Sequence, residues 1–357
     1  MKMMNKNNLF LDIHAIQILP PSNVNRDDTG SPKTAQYGGV TRARVSSQAW
    51  KKAMRDYFNE HGENANVGVR TKNIVEYVAS KIAEKSPDKT EEAIELAENT
   101  LKKAGISIKD HQAKALFFLG DAQANALAEA AIQGQSDKKT LQQCLNENPS
   151  VDISLFGRMV ADDPSLNEDA SAQIAHAIST HAVQNEFDYF TALDDLSKED
   201  NAGAGMLGTI EFNSSVLYRY GNVAIHELLK QLESKEATIN AIKLFVEAFS
   251  NSLPTGKINT FANQTLPNAL IISLRKDRPV NLVSAFEKPV RTQGGYLDKS
   301  IERLSNEFKK VDKFVEEPLI SMYINTNEDD ALKDIGEEEA SLKNLTEDLG
   351  KKLEELL

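Results

Sequence analysis

One cysteine, Cys144, in 357 residues rules out an intramolecular disulfide and a cysteine-rich zinc site, and it fits a reducing compartment. No stretch supplies the roughly 18 uncharged apolar residues that a membrane-spanning helix needs. The start, MKMMNKNN, has neither the apolar run nor the cleavage site of a signal peptide, so the expected location is the cytoplasm. Nucleotide signatures are present only in fragments. GAGMLG, Gly203 to Gly208, spells G-x-G-x-x-G, but the motif works only with a strand before it and a helix after it, so that the helix start meets a pyrophosphate. Here an acidic loop precedes it and the β-rich TIEFNSSVLYRY follows, so it reads as a glycine-rich connection between two strands. PTGK, Pro254 to Lys257, lacks the glycine five residues ahead of Gly256 that a P-loop requires. His176 and His181 miss the i, i+4 spacing of a zincin pair and point to opposite faces of a strand, which makes them ordinary polar or half-buried histidines. The scattered serines and lone cysteine give no nucleophile, base and orienter set, and no long internal repeat occurs.

What is present is enough apolar residue, 40%, for a real core in one elaborated domain or two simple ones. The net charge of -12 argues against a nucleic-acid partner on average, yet the average conceals a gradient. Residues 1–55 hold nine Lys and Arg against three Asp, a balance of +6, which leaves -18 for the rest; residues 326–357 hold eleven acids against four lysines. One end can meet an anion while the other repels it.

Periodicity predicts a strand over Leu9 to Leu19, with Leu11, Ile13 and Ala15 on one side and Asp12 and His14 on the other. VTRARV (Val40 to Val45) reads as a short strand whose Arg42 and Arg44 share a basic face. SSQAWKKAMRDYF then opens a helix with capping serines and an apolar stripe of Trp50, Ala53, Met54 and Tyr57. From about Asn66 to Glu147 the chain reads as a helical, alanine-rich insertion, HQAKALFFLGDAQANALAEAAI included. Strands return in SAQIAHAISTHAV and GTIEFNSSVLYRY, a helix runs through VAIHELLKQL and ATINAIKLFVEAFSN, and a buried strand follows in NALIISL. Without the insertion the order is β, α, β, β, α, β, which suits a ferredoxin-like or RNA-recognition-type sheet, an α+β layer pair. At the end Leu342, Leu345, Leu349, Leu353 and Leu356 predict an amphipathic helix that docks on the body or on a partner.

On the helix that starts near Ser47, Gln48, Lys51 and Arg55 form a second stripe beside the apolar one. The helix start adds free backbone N–H groups and a positive dipole end. Together with Arg42, Arg44 and the serines, these groups converge on a place that fits a phosphate, and the sequence favours backbone binding over a merely solvated basic face.

At these residues the chain resembles a known family. NRDD (Asn25 to Asp28), the pair Gly38 and Gly39, RVSSQAWKKAMR (Arg44 to Arg55), GRM (Gly157 to Met159), IAHAISTH (Ile174 to His181), DYFTALDDL (Asp188 to Leu196), LGTIEF (Leu207 to Phe212), YRY (Tyr218 to Tyr220) and AFEK (Ala285 to Lys288) are similar, in order, to the CasC-like backbone subunits of the type I-E CRISPR surveillance complex, Cascade. The resemblance implies an RNA-recognition-type palm (residues 1–59 and 209–325), helical fingers inserted at 60–172, a β-hairpin thumb at 186–212 and an acidic amphipathic segment at 326–357. It implies no catalytic residue, metal or cofactor. The implied RNA contacts are Arg26, Lys33, Arg42, Arg44, Ser46, Gln48, Lys51, Lys52, Arg55, Arg158 and Met159. Base-displacing groups would be Tyr189 and Phe190 at the thumb base and Met206 and Leu207 at its tip, where glycines allow a tight turn and an apolar tip can wedge into a base stack. The implied partners are crRNA, target DNA through the guide, head-to-tail copies of the chain and other Cascade subunits, with no membrane.

Two functions of different class follow: a non-catalytic backbone that holds guide RNA and leaves sequence reading to base pairing, or a metal-dependent endoribonuclease of a CRISPR effector that uses Asp27 and Asp28. A paired-metal site wants more converging carboxylates than these two.

Overall fold

The computed structural model describes residues 8–62, 66–191, 207–327 and 330–357. The first strand, β1 (Phe10–Ser22), leads through β2 (Thr34–Tyr37) and β3 (Val40–Val45) into helix α1 (Ser47–His61). An insertion follows with β4 (Gly68–Thr71), α2 (Ile74–Lys85), α3 (Ala93–Lys103), the two-residue strands β5 (Ile108–Lys109) and β6 (Gln112–Ala113), β7 (Phe117–Gly120), α4 (Asp121–Ile132), α5 (Lys138–Asn146) and α6 (Val151–Phe156). The chain then returns through β8 (Ala172–Ile174), β9 (Ala177–Ser179), β10 (Glu186–Thr191) and β11 (Leu207–Ala224) to α7 (Ile225–Leu232) and α8 (Lys235–Asn251). It ends with α9 (Ile258–Phe261), β12 (Ala269–Arg275), α10 (Leu297–Val311), β13 (Ile320–Asn325), β14 (Glu337–Glu338) and α11 (Leu342–Leu356).

The central sheet runs in the order β14, β13, β12, β1, β11, β9, β3, β2, with β8 and β10 also paired to β11. β1 is flanked by antiparallel β11 and β12, in registers that put Ile13 opposite Gly221 and Ile272. Its regular pairing is interrupted after Leu19, where Pro20 and Pro21 cannot donate to a ladder. The other pairings in this sheet are antiparallel except β13 with β14.

The sheet is covered on both faces, which corrects the expected layer pair. Leu11, Ile13 and Ala15 join α1, α7, α8 and α11 in one core, while Ile16 joins Tyr218, Tyr220, Phe286, Leu304 and Phe308 in another. Asp12 and His14, expected on a polar side, are buried beneath this second layer. They are accommodated because their bonds are made. Asp12 accepts from the Tyr220 hydroxyl at 2.7 Å and the Val280 amide at 3.0 Å, and Arg275 stands 3.6 Å away. His14 Nδ1 meets the Tyr218 hydroxyl at 2.9 Å.

The insertion has its own core, built on Ile74, Val78, Ile82, Leu101, Leu119, Leu127 and Leu141. It is not wholly helical. Phe117–Gly120, expected within a helix, is a strand paired with β4, since consecutive aromatic and branched residues suit a buried ladder and Gly120 caps the helix that starts only at Asp121. At the far end α11 docks on the body: Leu345, Leu349 and Leu353 are buried in the core shared with Ile239 and Ile242, and Leu356 stays exposed.

Candidate nucleic-acid interface

Helix α1 begins where three segments meet. Ser46 caps it, its hydroxyl accepting from the Ala49 amide at 3.3 Å, and the Ser46 amide donates to Asn25 Oδ1 at 2.8 Å. That bond ties the 23–33 loop to the helix start, and the Arg44 amide, donating to the Lys33 carbonyl at 2.9 Å, places Lys33 next to β3. From the other side the Ser47 amide donates to His176 Nδ1 at 2.8 Å. The amides expected to be free for an anion are thus partly used: Ala49 N by Ser46 and Ser47 N by His176. Ser46 itself is buried, so its hydroxyl serves the helix first.

The basic residues divide into two groups. Lys33 and Arg44 are half-buried, and Gln48 is exposed at the first turn. Among the described residues Arg44 donates through its Nε alone, to the Thr34 carbonyl at 3.0 Å. Further along α1, the Lys51 ammonium lies 5.4 Å from the Phe156 ring and the Arg55 guanidinium 5.3 Å from the Phe118 ring, so both span from the sheet domain to the insertion through cation–π contacts. Burial lowers the pKa of each; for Arg55 the buried carboxyl of Asp152 opposes this. Lys52 is exposed and paired with Asp56, and Arg26 is exposed on the loop. The insertion's Arg70 is close enough to Arg55 for their charges to interact, which extends the basic line along the seam.

Arg42 and Arg158 depart from the expected contact set. Arg42 is 0% exposed and donates to the carbonyls of Tyr37 (3.1 Å), Ser179 (2.9 Å) and Phe286 (2.8 Å). Arg158 is 4% exposed, donates to Leu166 O and Leu145 O at 2.8 Å each, and reaches Gln123 Oε1 at 3.2 Å. Both are bolts between backbone segments, because a buried guanidinium persists only where its donors find acceptors. Burial pushes Arg158 down to about 10. Its neighbour Met159 does the opposite: 86% exposed, it follows Gly157, whose φ of 78° turns the chain outward from α6.

β10 and β11 form an antiparallel ladder from Glu186–Phe212 to Thr191–Leu207. Phe187 and Tyr189 stand exposed on β10, and Phe190 lies over Gly208, where any side chain would run into its ring. Met206 and the rest of the GAGMLG turn before Leu207 lie outside the described residues.

Of the acidic pair expected for the nuclease alternative, Asp28 is exposed and Asp27 is engaged within its own loop. Asp27 Oδ1 accepts from the Thr29 amide and hydroxyl and from the Ser31 amide at 2.7–3.0 Å, bonds led by the Thr29 hydroxyl that hold its carboxyl below the usual range. Among the described residues no group of three or more His, Cys, Asp or Glu is placed to hold a metal ion. His181 receives the Val216 amide on Nε2 at 3.1 Å and stacks on Tyr296, as a buried structural histidine. No helix among the described residues is long and apolar enough to cross a membrane.

Sequence reasoning missed three features here: the His176 bond, the aromatic rings under Lys51 and Arg55, and the Arg219 guanidinium stacked 3.7 Å from the Trp50 ring centroid. Each joins residues from distant segments of the chain, so no local spacing announces them.

The model of the CT1975-like protein family matches residues 11–348. The chain belongs to that family. It is also similar to a solved chain described as "CRISPR RNA-guided surveillance complex, pre-nicking", at 31% identity and a TM-score of 0.85, covering 96% of this chain and 100% of that one. A second, "CRISPR RNA-guided surveillance complex", matches at 28% identity and a TM-score of 0.66, covering 96% and 99%. No curated protein matches. The likeness to Cascade backbone subunits read from the sequence motifs therefore holds along nearly the whole chain.

Proposed function

We propose that this CT1975-like chain is a non-catalytic backbone subunit of a type I-E Cascade complex. It binds the phosphate backbone of crRNA, repeats head to tail along it and presents its bases for pairing with target DNA. The observation that carries the reading is the basic line of Lys33, Arg44, Lys51 and Arg55, which runs from the 23–33 loop along α1 to the insertion in an otherwise acidic protein. Such a line meets a polyanion through counterion release and needs no base contact. The order β1, α1, β8/β9, β11, α8, β12, with β11 set between β1 and β9, supports an RNA-recognition-type palm. The insertion with its own core supports fingers, and the β10–β11 ladder supports a thumb. Met159, Tyr189, Phe190 and the 206–207 tip then serve as apolar groups that interrupt base stacking.

Co-expression with guides of different length tests this. Size-exclusion chromatography read at protein and nucleic-acid wavelengths should show an RNA-containing particle whose mass rises with guide length. A particle free of RNA, or one of constant mass, contradicts the reading.

A further inference from the structure

The β3–β9 register pairs Arg44 with Ile178 and Val45 with Ala177. The next step sets His176 against the chain at Ser46, where its Nδ1 accepts the Ser47 amide at 2.8 Å. An imidazole nitrogen that accepts an N–H carries no proton, so the neutral ring holds its proton on Nε2 as a donor. The ring is exposed. Partial burial, then the positive charges of Arg44 and Lys33, hold its pKa below the usual histidine range, and a proton on Nδ1 would displace the Ser47 bond as well. Arg44 keeps its terminal nitrogens clear of the Thr34 carbonyl, and among the described residues no carboxylate pairs with Lys33 or Arg44. Two cations and a neutral N–H donor, gathered from the 23–33 loop, β3 and the segment before β9, thus meet with no anion among them.

We propose that His176 is a contact residue for the guide's phosphodiester backbone, donating from Nε2 beside Lys33 and Arg44 while its Nδ1 fixes the start of α1. The assignment rests on the RNA-backbone reading above and adds a residue of different physics to it. A lysine or arginine that meets a phosphate releases a counterion and so steepens the salt dependence; a neutral donor adds a hydrogen bond and leaves the slope alone. His176 also differs from a residue that only caps a helix, because a bound phosphate must raise its pKa.

The test uses the full chain and a single-stranded guide RNA. His176→Ala should weaken binding about tenfold, the order expected for a hydrogen bond to a charged group, with an unchanged slope of log affinity against log salt and an unchanged circular dichroism spectrum. His176→Asn, which can accept from Ser47 and still donate, should recover most of that affinity. NMR titration of the wild-type His176 ring should give a higher pKa with RNA bound than without, and this readout does not depend on any variant folding. If the wild type binds RNA while His176→Ala binds equally well, or the ring titrates identically free and bound, the assignment falls and the RNA reading stands. If the wild type binds no RNA, both fall.

Discussion

Arg42 and Arg44 sit two residues apart on β3 and by period two should share a face and a role. Arg42 is sealed at 0% exposure with its donors on four backbone carbonyls, whereas Arg44 gives up one nitrogen to the Thr34 carbonyl. What separates them is the cover. The Phe286–Glu287 segment, more than 240 residues away, closes over Arg42 and brings two of its acceptors; Arg44 lies between the loop that carries Lys33 and the start of β9, and among the described residues its side chain donates to the Thr34 carbonyl alone. Arg158 and Met159 repeat the contrast in adjacent positions, one locked among carbonyls and one projecting. The difference teaches that charge patterning locates a basic region, while burial decides which of its cations hold the protein together and which are left to meet a ligand.

The largest expected effect breaks the comparison at its structural end. Arg158→Ala strands several buried carbonyls and should cost about 3 kcal/mol or more, read as a lowered urea midpoint, while Arg44→Ala should stay within about 0.5 kcal/mol. Equal destabilisation would mean that Arg44 is also a bolt. A smaller effect concerns the buried network at β1. Burial raises Asp12 to about 6 and lowers His14 to about 3. The folded chain therefore holds the Asp12 proton more tightly than the unfolded chain, and this contribution to stability is lost as pH rises through about 6. It excludes the His14 proton, so that contribution is lost as pH falls below the ordinary histidine value of 6.5. The two slopes oppose each other over about pH 4–6. Asp12→Asn leaves His14 alone, and its stability should fall more steeply on acidification across that window than the wild type's, measured by urea midpoints at several pH values. Smallest in stability is Met159→Ser, expected within about 0.5 kcal/mol. Its readout is chemical probing of the guide, where periodic base reactivity should flatten; an unchanged pattern would remove Met159 from the stack-interrupting set.

The α1 cap at Ser46, the strands β1, β11 and β12, and helices α7, α8 and α11 were legible because each rests on local periodicity and capping chemistry. The second layer over the sheet was not. Asp12 and His14 look solvent-facing until Tyr218, Tyr220 and Arg275, residues from distant strands, supply their partners. β7 was masked by the alanine-rich helices around it, since FFLG fits a buried helix as well as a strand until Val69 and Thr71 pair with it. Within the site, the stripe of Gln48, Lys51 and Arg55 could be read from helical spacing, but the burial of Arg42 and Arg158 and the placing of His176 could not, because all three depend on chain crossings that spacing does not encode.

If the cations of β3 and α1 form the guide-binding surface, the salt dependence of guide RNA affinity in Arg44→Gln/Lys51→Gln shows it most directly. Neutralising one phosphate-binding cation should lower the slope of log affinity against log salt by about 0.7. The double variant should therefore bind more weakly across all guide sequences, with a slope shallower by about 1.4 and an unaltered fold. A folded double variant that keeps both the affinity and the slope of the wild type would contradict this assignment and move the guide to another face of the protein.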